Sequence, residues 1–575
     1  MVNSRDLLAM MDDLIQLTII DEESPQSFKV RAYEKAKIAL ETYPGDITSL
    51  SLSELSKLNN VGRATASKVR EMIQTGTVAS LDELRLKYPP DFVELSRIPG
   101  VGPKTLKLMR RELGIENLDT LKSAIDAQQL RTLPRMGAAS EAKIAKAIDR
   151  LGLVGKHHRT PVGEALTAAH NLVEQLEAID SVSKVEICGS IRRMAETVSD
   201  VDITVASSDP GEVISAVVNH PNTAEVIGAG TTKASIVTHR NLQIDVRVVD
   251  SHQFGAATLY FTGSKAHNVA LRQRAIDSGL HLNEYGLIDA KTSQVIASET
   301  EHSIYSALGL DFIEAPLREA TGEIEAASGG SLPQLVQLSD IRGDLHYHSD
   351  RSGDGRSTLA DMISHAASRN YEYLAITEHG ENLGGTGVSQ ADMADHRVMI
   401  DTIQSQYPDM TLLFGCELNI GPDGELDYDA EFRSELDYAV ASVHSHFDLP
   451  AQDQTARLIR AISDPSVRSI GHLTGRYIGR RPGIDLDIDA VLTAMLEADV
   501  ALEVNSSLSR LDASSDVVRL AVGRGVKLVI NSDSHHISHL DRMIHGVRTA
   551  QRGWAPRDQV INTWPRSRFL EWLNP

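Results

Sequence analysis

Residues 189–202 read GSIRRMAETVSDVD, and this stretch decides the fold of the middle of the chain. It joins a Gly-Ser turn to a strand-like run that starts at Asp200 and includes Asp202. A second strand-like run, LQIDVRVV at 242–249, carries Asp245. Side chains on a strand alternate between its two faces, so Asp200 and Asp202 point the same way. If the two strands are neighbours, all three carboxylates meet on one face.

Such a carboxylate trio suits hard divalent cations. Two ions about 3.5–4 Å apart provide the geometry for in-line displacement at phosphorus. We therefore predict that the three aspartates are catalytic and hold two Mg²⁺ or Mn²⁺ ions. The turn at Gly189 and Ser190 and the side chain of Arg193 offer donors to the phosphate oxygens of a substrate.

A second set of polar residues begins with DLHYH at 344–348 and recurs as far as DSH at 533–535. Its members follow apolar runs such as YEYLAITEH and VKLVINSDSHH. Strands that alternate with helices and end in polar residues are typical of a parallel β/α barrel. No cysteine accompanies the histidines, so the ligands are imidazole and carboxylate, which suit Zn²⁺ or Mn²⁺.

The composition is that of a large protein with several domains. The chain has 575 residues and a net charge of -22, which argues against nucleic-acid binding, but residues 51–150 hold 17 Lys and Arg against 12 Asp and Glu. Cys188 and Cys416 lie in apolar runs and read as reduced thiols. The N-terminus lacks a leader and no apolar run is long enough to span a bilayer, so we expect a cytoplasmic protein without a membrane partner.

The carboxylate site resembles the palm of the nucleotidyltransferase superfamily, and downstream motifs narrow the resemblance to family X DNA polymerases. These motifs are YFTGS at 260–264, the polar pair Asn268 and Arg272, and LNEYG at 282–286. In that family a Tyr-Phe pair lines the sugar of the incoming nucleotide, an Asn contacts its base and an Arg contacts the template minor groove. The resemblance implies a substrate pocket built from Arg159, Gly189, Ser190, Arg193, Tyr260, Phe261, Gly263, Asn268 and Arg272.

Two positions depart from the family pattern. Ser199 replaces a common glycine, and Gln243 stands where polymerase beta has an arginine. Neither change removes a metal ligand.

The first 155 residues read as short amphipathic helices separated by glycine turns. LNNVG at 58–62 and IPGVG at 98–102 each precede a helix that contains basic residues and read as helix-hairpin-helix elements, although a turn between packed helices is the alternative. A glycine turn before a helix exposes backbone N–H groups to a DNA phosphate. The predicted DNA contacts are Val61, Gly62, Gly100, Val101, Gly102 and Lys104.

The family resemblance also implies a deoxyribose-phosphate lyase site. Lys68 aligns with the lysine nucleophile of the polymerase beta lyase domain, and Lys29, Tyr33 and Lys35 align with its pocket. Phe28 departs from this pattern, because polymerase beta has histidine there.

The histidine-rich half resembles the PHP domain, a barrel that binds three metals. The loop HSDRSGDG at 348–355 has one residue more than the family spacing, so Asp350 is an alternative to Asp354. The resemblance groups the ligands as His346, His348, Glu417 and Asp533 around one metal, as Asp354, His379 and His535 around a second, and as Glu417, His444 and His472 around a third.

The resemblance spans nearly the whole chain and predicts a monomeric bacterial family X DNA polymerase with a PHP nuclease. It would fill short gaps with deoxynucleoside triphosphates on gapped or primer-template DNA with 5′-phosphate ends, and trim 3′ ends. The alternatives are a PHP phosphatase with a vestigial polymerase half and a non-catalytic DNA-end scaffold. The predicted domains are a helical lyase-like domain (1–85), a helix-hairpin-helix domain (86–158), an α+β palm (159–252), a nucleotide-binding subdomain (253–318), a linker (319–338) and a PHP barrel (339–575).

Overall fold

The computed structural model describes residues 4–25, 27–41, 43, 47–58, 61–98, 101–134, 136–153 and 159–574. The chain forms two compact units, Met1–His158 and Arg159–Pro575. Within the described ranges no helix is both long and apolar enough to cross a membrane.

Across its described residues the first unit is helical, as predicted. Its helices bury apolar residues in a shared core, as α4 (Arg63–Thr75) does with Ala66, Val69 and Met72 at helical spacing. The helices are α1 (Ser4–Asp21), α2 (Phe28–Glu41), α3 (Leu52–Leu55), α4 (Arg63–Thr75), α5 (Ala79–Lys87), α6 (Pro90–Glu94), α7 (Pro103–Leu113), α8 (Leu118–Asp126) and α9 (Ala138–Leu153).

The second unit opens with a five-stranded sheet in the order β2-β4-β7-β6-β5. Strands β4 and β7 are parallel, and the other neighbours are antiparallel. The apolar stripe of α10 packs against this sheet. The elements are β1 (Thr160–Pro161), α10 (Val162–Glu177), β2 (Val182–Ile187), α11 (Gly189–Arg192), β3 (Thr197–Val198), β4 (Asp200–Ser207), α12 (Pro210–Val218), β5 (Thr223–Ala229), β6 (Lys233–Thr238) and β7 (Gln243–Val249).

A smaller helical and antiparallel region follows, with its own apolar core. Its elements are α13 (Phe254–Thr262), α14 (Lys265–Asp277), β8 (Leu280–Asn283), β9 (Gly286–Asp289), β10 (Val295–Ala297), α15 (Glu301–Ala307) and α16 (Glu323–Ser328). Helix α16 lies inside the segment 319–338, where the sequence predicted a linker, and it buries Glu323 and Ile324. The segment is therefore packed against the protein.

The last region is a parallel β/α barrel of seven strands, paired in sequence order. The sheet nearly closes on itself, because the backbone N–H of His348 donates to the carbonyl of Ser534 at 2.9 Å. The prediction of a parallel β/α barrel is confirmed. The elements are β11 (Gly343–Asp344), α17 (Leu359–Ala367), β12 (Tyr373–His379), α18 (Gln390–Gln404), β13 (Thr411–Asn419), α19 (Ala430–Arg433), β14 (Tyr438–Ser442), α20 (Ala451–Ile462), β15 (Val467–Gly471), α21 (Ile488–Ala498), β16 (Ala501–Asn505), α22 (Ser515–Arg524), β17 (Leu528–Asn531), α23 (Met543–Arg552) and α24 (Arg566–Leu573).

The barrel packs directly on the five-stranded region. Leu511, in the loop after β16, is fully buried and belongs to the core beneath α10. Arg476 of the barrel donates to the carboxylate of Glu196 at 2.8 Å. Apolar burial and an ion pair therefore join the two parts of this unit.

Candidate active sites

The carboxylates of β4 and β7 lie side by side. The parallel register places Asp202 opposite Asp245, and Asp200 opposite Gln243. Burial alternates at the start of β4 and along most of β7, with Val201 facing the core and the aspartates facing outward. The three predicted aspartates therefore share one face of the sheet.

This arrangement disfavours three simultaneous negative charges. Burial, together with the charges of Asp200 and Asp245, raises the pKa of Asp202 to about 7. Burial and the charge of Asp245 also raise the pKa of Asp200. Nζ of Lys233 lies 3.5 Å from Oδ2 of Asp245. Bound cations relieve such repulsion, so the donor set fits divalent metal ions.

The turn at Gly189 brings the backbone close to the carboxylates. Gly189 has φ +64°, and a Cβ there would lie 2.6 Å from Oδ2 of Asp202. The backbone N–H of Cys188 donates to the carbonyl of Asp202 at 2.7 Å. Only glycine tolerates both the positive φ and the close approach of the Asp202 carboxylate. Helix α11 begins at Gly189, and Ser190 follows it.

Arg159 and Arg193, both in the predicted substrate pocket, are held by hydrogen bonds. Nε of Arg159 donates to Oγ1 of Thr197 at 2.8 Å, and its Nη1 donates to Ser199 at 3.4 Å. The serine that replaces the family glycine therefore gives Arg159 an acceptor. Arg193 donates to the carboxylate of Glu319 at 2.9 Å and to the carbonyl of Thr262 at 2.5 Å.

The predicted nucleotide pocket forms along α13 and α14. The amide of Asn268 donates to the carbonyl of Tyr260 at 2.8 Å, and the guanidinium of Arg272 lies 5.1 Å from the Tyr260 ring centre. The rings of Tyr260 and Phe261 meet edge to face, 5.0 Å apart. Phe261 lines the same cleft as Asp202, and Gly263 ends the helix after the aromatic pair. The pocket and the carboxylates are therefore contiguous.

In the barrel, the predicted histidines converge on Glu417, a fully buried residue of β13. Two of its contacts are short, since Nε2 of His472 and Nδ1 of His379 each lie 2.8 Å from a carboxylate oxygen. The remaining three distances are 3.3 Å to His346, 3.6 Å to His348 and 3.2 Å to His444.

Asp533 and His535 complete the cluster from the loop after β17. Oδ1 of Asp533 lies 3.7 Å from Nε2 of His346, 3.5 Å from Nε2 of His348 and 3.6 Å from Nδ1 of His535. Asp533 has φ +51°, so the loop turns sharply at the site.

The donor set fits metal ions. Nε2 of His346 and Nε2 of His348 are buried and have no hydrogen-bond partner among the described residues. Such nitrogens are costly unless an ion or a donor satisfies them. The compact groups are His346, His348 and Asp533; His348, His379 and His535; and His379, Glu417 and His444, with the ligand atoms of each group within 4.8 Å of one another. These groups share members with the family grouping but differ from it, so the metal-by-metal assignment stays a prediction.

Asp354 lies at this cluster. Its Oδ2 is 3.3 Å from Nε2 of His379 and 3.4 Å from Nε2 of His535. Burial would raise the pKa of Asp354, but hydrogen bonds from the two imidazoles outweigh it and hold the pKa below its usual range. The alternative, Asp350, lines a surface cleft with Met399. The geometry favours Asp354.

Two functional candidates were missed in the sequence. Glu503 is fully buried in β16 and its Oε1 lies 2.7 Å from Nδ1 of His346. A carboxylate on one imidazole nitrogen orients the other nitrogen toward a metal. An acid in the middle of the apolar run VALEVN was the available signal. Asn419 was missed too, and its Oδ1 lies 2.7 Å from Nδ1 of His444.

The helical unit places its glycine turns at helix starts. Gly62 precedes α4 and Gly102 precedes α7, with no side-chain cap and open space around both. Val61 and Val101 are buried beneath the turns, while Lys104 is exposed. The predicted contact at Gly100 lies outside the described residues.

The predicted lyase residues have different partners. Nζ of Lys68 donates to Ser80 at 2.6 Å, whereas Lys29 pairs with Glu22 at 2.7 Å. Tyr33 is buried, Lys35 is exposed, and the departing Phe28 is 88% exposed. The lyase site stays a prediction.

Four family models match the chain. They are the DNA polymerase beta thumb at residues 257–319, the PHP domain at 344–507, a helix-hairpin-helix domain at 6–78 and a SAM-like helix-hairpin-helix tandem at 92–150.

Some relatives match nearly the whole chain, and others match about two fifths of it. The chain is 34% identical over 566 residues to the DNA polymerase/3′-5′ exonuclease PolX of Bacillus subtilis, covering 98% of this chain and 97% of that protein. It is 31% identical over 242 residues to a probable phosphatase of Clostridium acetobutylicum, covering 40% of this chain and 93% of that protein. A probable phosphatase of Aeromonas salmonicida is 31% identical over 245 residues, covering 40% and 92%.

A carboxylate-lined palm and a histidine-lined barrel on one chain define a metal-dependent enzyme with two separate centres for phosphate chemistry. The helix-hairpin-helix matches add DNA binding to that description. The chain belongs to the family X DNA polymerases that carry a PHP domain.

Proposed function

We propose that this protein is a template-directed DNA polymerase that fills short gaps during repair and trims 3′ ends with its PHP barrel. It acts as a cytoplasmic monomer on gapped or primer-template DNA with 5′-phosphate ends. The observation that supports synthesis most directly is the register of β4 and β7, which aligns Asp202 with Asp245 beside Phe261. A relative named as a polymerase and exonuclease, matched over 98% of this chain, supports the pairing of the two activities.

In the palm, Asp200, Asp202 and Asp245 would hold two Mg²⁺ or Mn²⁺ ions. When bound, such ions activate a 3′-hydroxyl and neutralise the triphosphate. Ser190 and Arg193 donate to phosphate oxygens at the turn.

The pocket residues would position the nucleotide against the primer. Tyr260 and Phe261 form an aromatic wall that excludes a 2′-hydroxyl by shape. Asn268 is held by the Tyr260 carbonyl and reaches the base, while Arg272, stacked on the Tyr260 ring, reaches the minor groove. Minor-groove contacts check base-pair geometry without reading sequence.

In the barrel, the cluster around Glu417 would hold up to three Zn²⁺ or Mn²⁺ ions. When bound, they acidify a water molecule and clamp the phosphodiester that it attacks. Glu503 orients His346 through Nδ1, which leaves Nε2 for the metal side of the ring. Hydrolysis of a 3′-terminal nucleotide follows from this chemistry.

The helical unit would hold the DNA. Backbone N–H groups at the glycine turns before α4 and α7 contact phosphates without sequence choice, and Lys104 adds charge. Lys68 is the proposed nucleophile of a deoxyribose-phosphate lyase.

Separate variants of the two centres test the proposal. Asp245→Ala should lose primer extension on gapped DNA and keep 3′-end trimming, whereas His346→Ala should do the reverse. Matched controls are Asp250→Ala, an exposed aspartate just after β7, and His365→Ala, a histidine of barrel helix α17 that is not a member of the cluster. Both controls should keep both activities.

Three outcomes would contradict the proposal. Primer extension by Asp245→Ala would contradict the assignment of the polymerase site to the palm carboxylates. Hydrolysis of para-nitrophenyl phosphate, without any activity on DNA in the wild type, would favour the phosphatase alternative. DNA binding with neither activity would favour an end-binding scaffold.

A further inference from the structure

A carboxylate joins two arginines from distant parts of the second unit. Nε of Arg193, at the phosphate turn, donates to Oε1 of Glu319 at 2.9 Å. Nη1 of Arg552, the last residue of barrel helix α23, donates to the same oxygen at 2.5 Å. Arg552 also donates to the carbonyl of Arg193 at 2.9 Å, although 359 residues separate the two.

The cluster carries one more positive than negative charge. Burial would raise the pKa of Glu319, but the charges of Arg193 and Arg552 outweigh it and keep the pKa below its usual range. The side chains of Arg193, Glu319 and Arg552 are only 14%, 25% and 23% exposed, so water screens their charges poorly. An ionised carboxylate on Arg193 competes with a triphosphate for the same guanidinium.

Arg193 keeps a donor for that triphosphate. Its Nη1 is taken by the carbonyl of Thr262 at 2.5 Å, and its Nε by Glu319. Nη2 has no hydrogen-bond partner within the part of the chain that the structure describes. The Glu319 carboxylate weakens the attraction of Arg193 for a triphosphate. Arg552 reduces this effect, because it pairs with the same carboxylate oxygen.

We propose that Arg552 is a positioning residue for nucleotide binding in the palm. It acts in two ways: it shares the charge of Glu319, and it holds the backbone of Arg193 by a hydrogen bond. The barrel thus contributes a residue to the triphosphate site of the polymerase. This inference rests on the proposed function.

Steady-state kinetics on gapped DNA test it. Arg552→Ala should raise KM for the deoxynucleoside triphosphate about tenfold, the size expected for one charge-assisted hydrogen bond. The value of kcat and the trimming rate should stay near wild type. Arg552→Lys keeps the charge and should recover much of the loss.

A double variant separates charge from scaffolding. In Arg552→Ala with Glu319→Gln, no carboxylate competes for Arg193, so KM should return toward the wild-type value. A merely structural role predicts that the second substitution worsens the first. The matched control is Arg519→Ala, because Arg519 donates to the carbonyl of Thr321 at 3.1 Å but not to Glu319.

An unchanged KM in Arg552→Ala, or a double variant no better than the single one, would overturn the inference and leave the proposed function standing. Primer extension by Asp245→Ala would instead contradict the proposed function itself. The two failures are therefore distinct.

Discussion

Glu503→Gln should damage the barrel site while changing almost no volume. Oε1 of Glu503 faces Nδ1 of His346 at 2.7 Å and accepts from the amide of Asn531 at 2.9 Å. Oε2 accepts from the backbone N–H of His472 at 2.7 Å and from the amide of Asn505 at 3.3 Å. With Nδ1 protonated, all four partners are donors, so only a carboxylate satisfies them.

A glutamine presents an NH₂ group to one of the two donor pairs. One donor pair is His346 with Asn531, and the other is His472 with Asn505. One of these pairs therefore loses its acceptor and faces another donor at a fully buried position. Loss of such a supporting partner costs about 10- to 100-fold in metal affinity, or about 1.4–2.8 kcal/mol. We therefore expect a fall of that size in metal affinity and in trimming.

Trimming of a 3′-labelled strand and metal content by mass spectrometry would measure the effect. Glu497→Gln makes the same chemical change at an exposed position on α21 and should behave as wild type. Primer extension should survive in both variants. Full metal content and normal trimming in Glu503→Gln would refute the reasoning that Glu503 orients His346.

Two further predictions concern the palm and its support. Gly189→Ala forces a Cβ to 2.6 Å from Oδ2 of Asp202, so single-turnover incorporation should fall about 100-fold with trimming intact; normal incorporation would contradict this. Glu301 is buried, yet the charges of Arg318 and Arg192 lower its pKa from 4.5 to about 2. Because the folded-state pKa lies below the unfolded value, the carboxylate adds about 3 kcal/mol of stability above pH 4.5, which is lost as pH falls through 2. In chemical denaturation, Glu301→Gln should therefore have a lower free energy of unfolding than wild type at pH 7, and about half of this difference should remain at pH 3. A difference that does not change with pH would contradict the ion-pair origin.

Much of the clustering of the candidate metal ligands was readable along the chain. Asp200 and Asp202 are two residues apart, so strand geometry alone puts them on one face. The histidines follow apolar runs, and parallel strands bring their carboxyl ends to one rim, as at His379 and Glu417, which are opposite each other on β12 and β13. Local periodicity carries that information.

The supporting residues were not readable in this way. Glu503 looks like one more acid until its contact with His346 is seen, and these two lie 157 residues apart. The segment 319–338 looked like a linker because Gly and Ser are frequent there, yet Glu319 lies between two arginines. Composition does not reveal which side chain is packed against which.

The order of residues was enough to specify the class of each domain, the carboxylate trio and the histidine set, because strand alternation and spacing are local properties of the chain. Folding in three dimensions was needed to choose Asp354 over Asp350, to place Glu503 behind His346 and to bring Arg552 to Arg193. Those pairings depend on burial and on contacts between residues far apart in sequence, which no local pattern encodes.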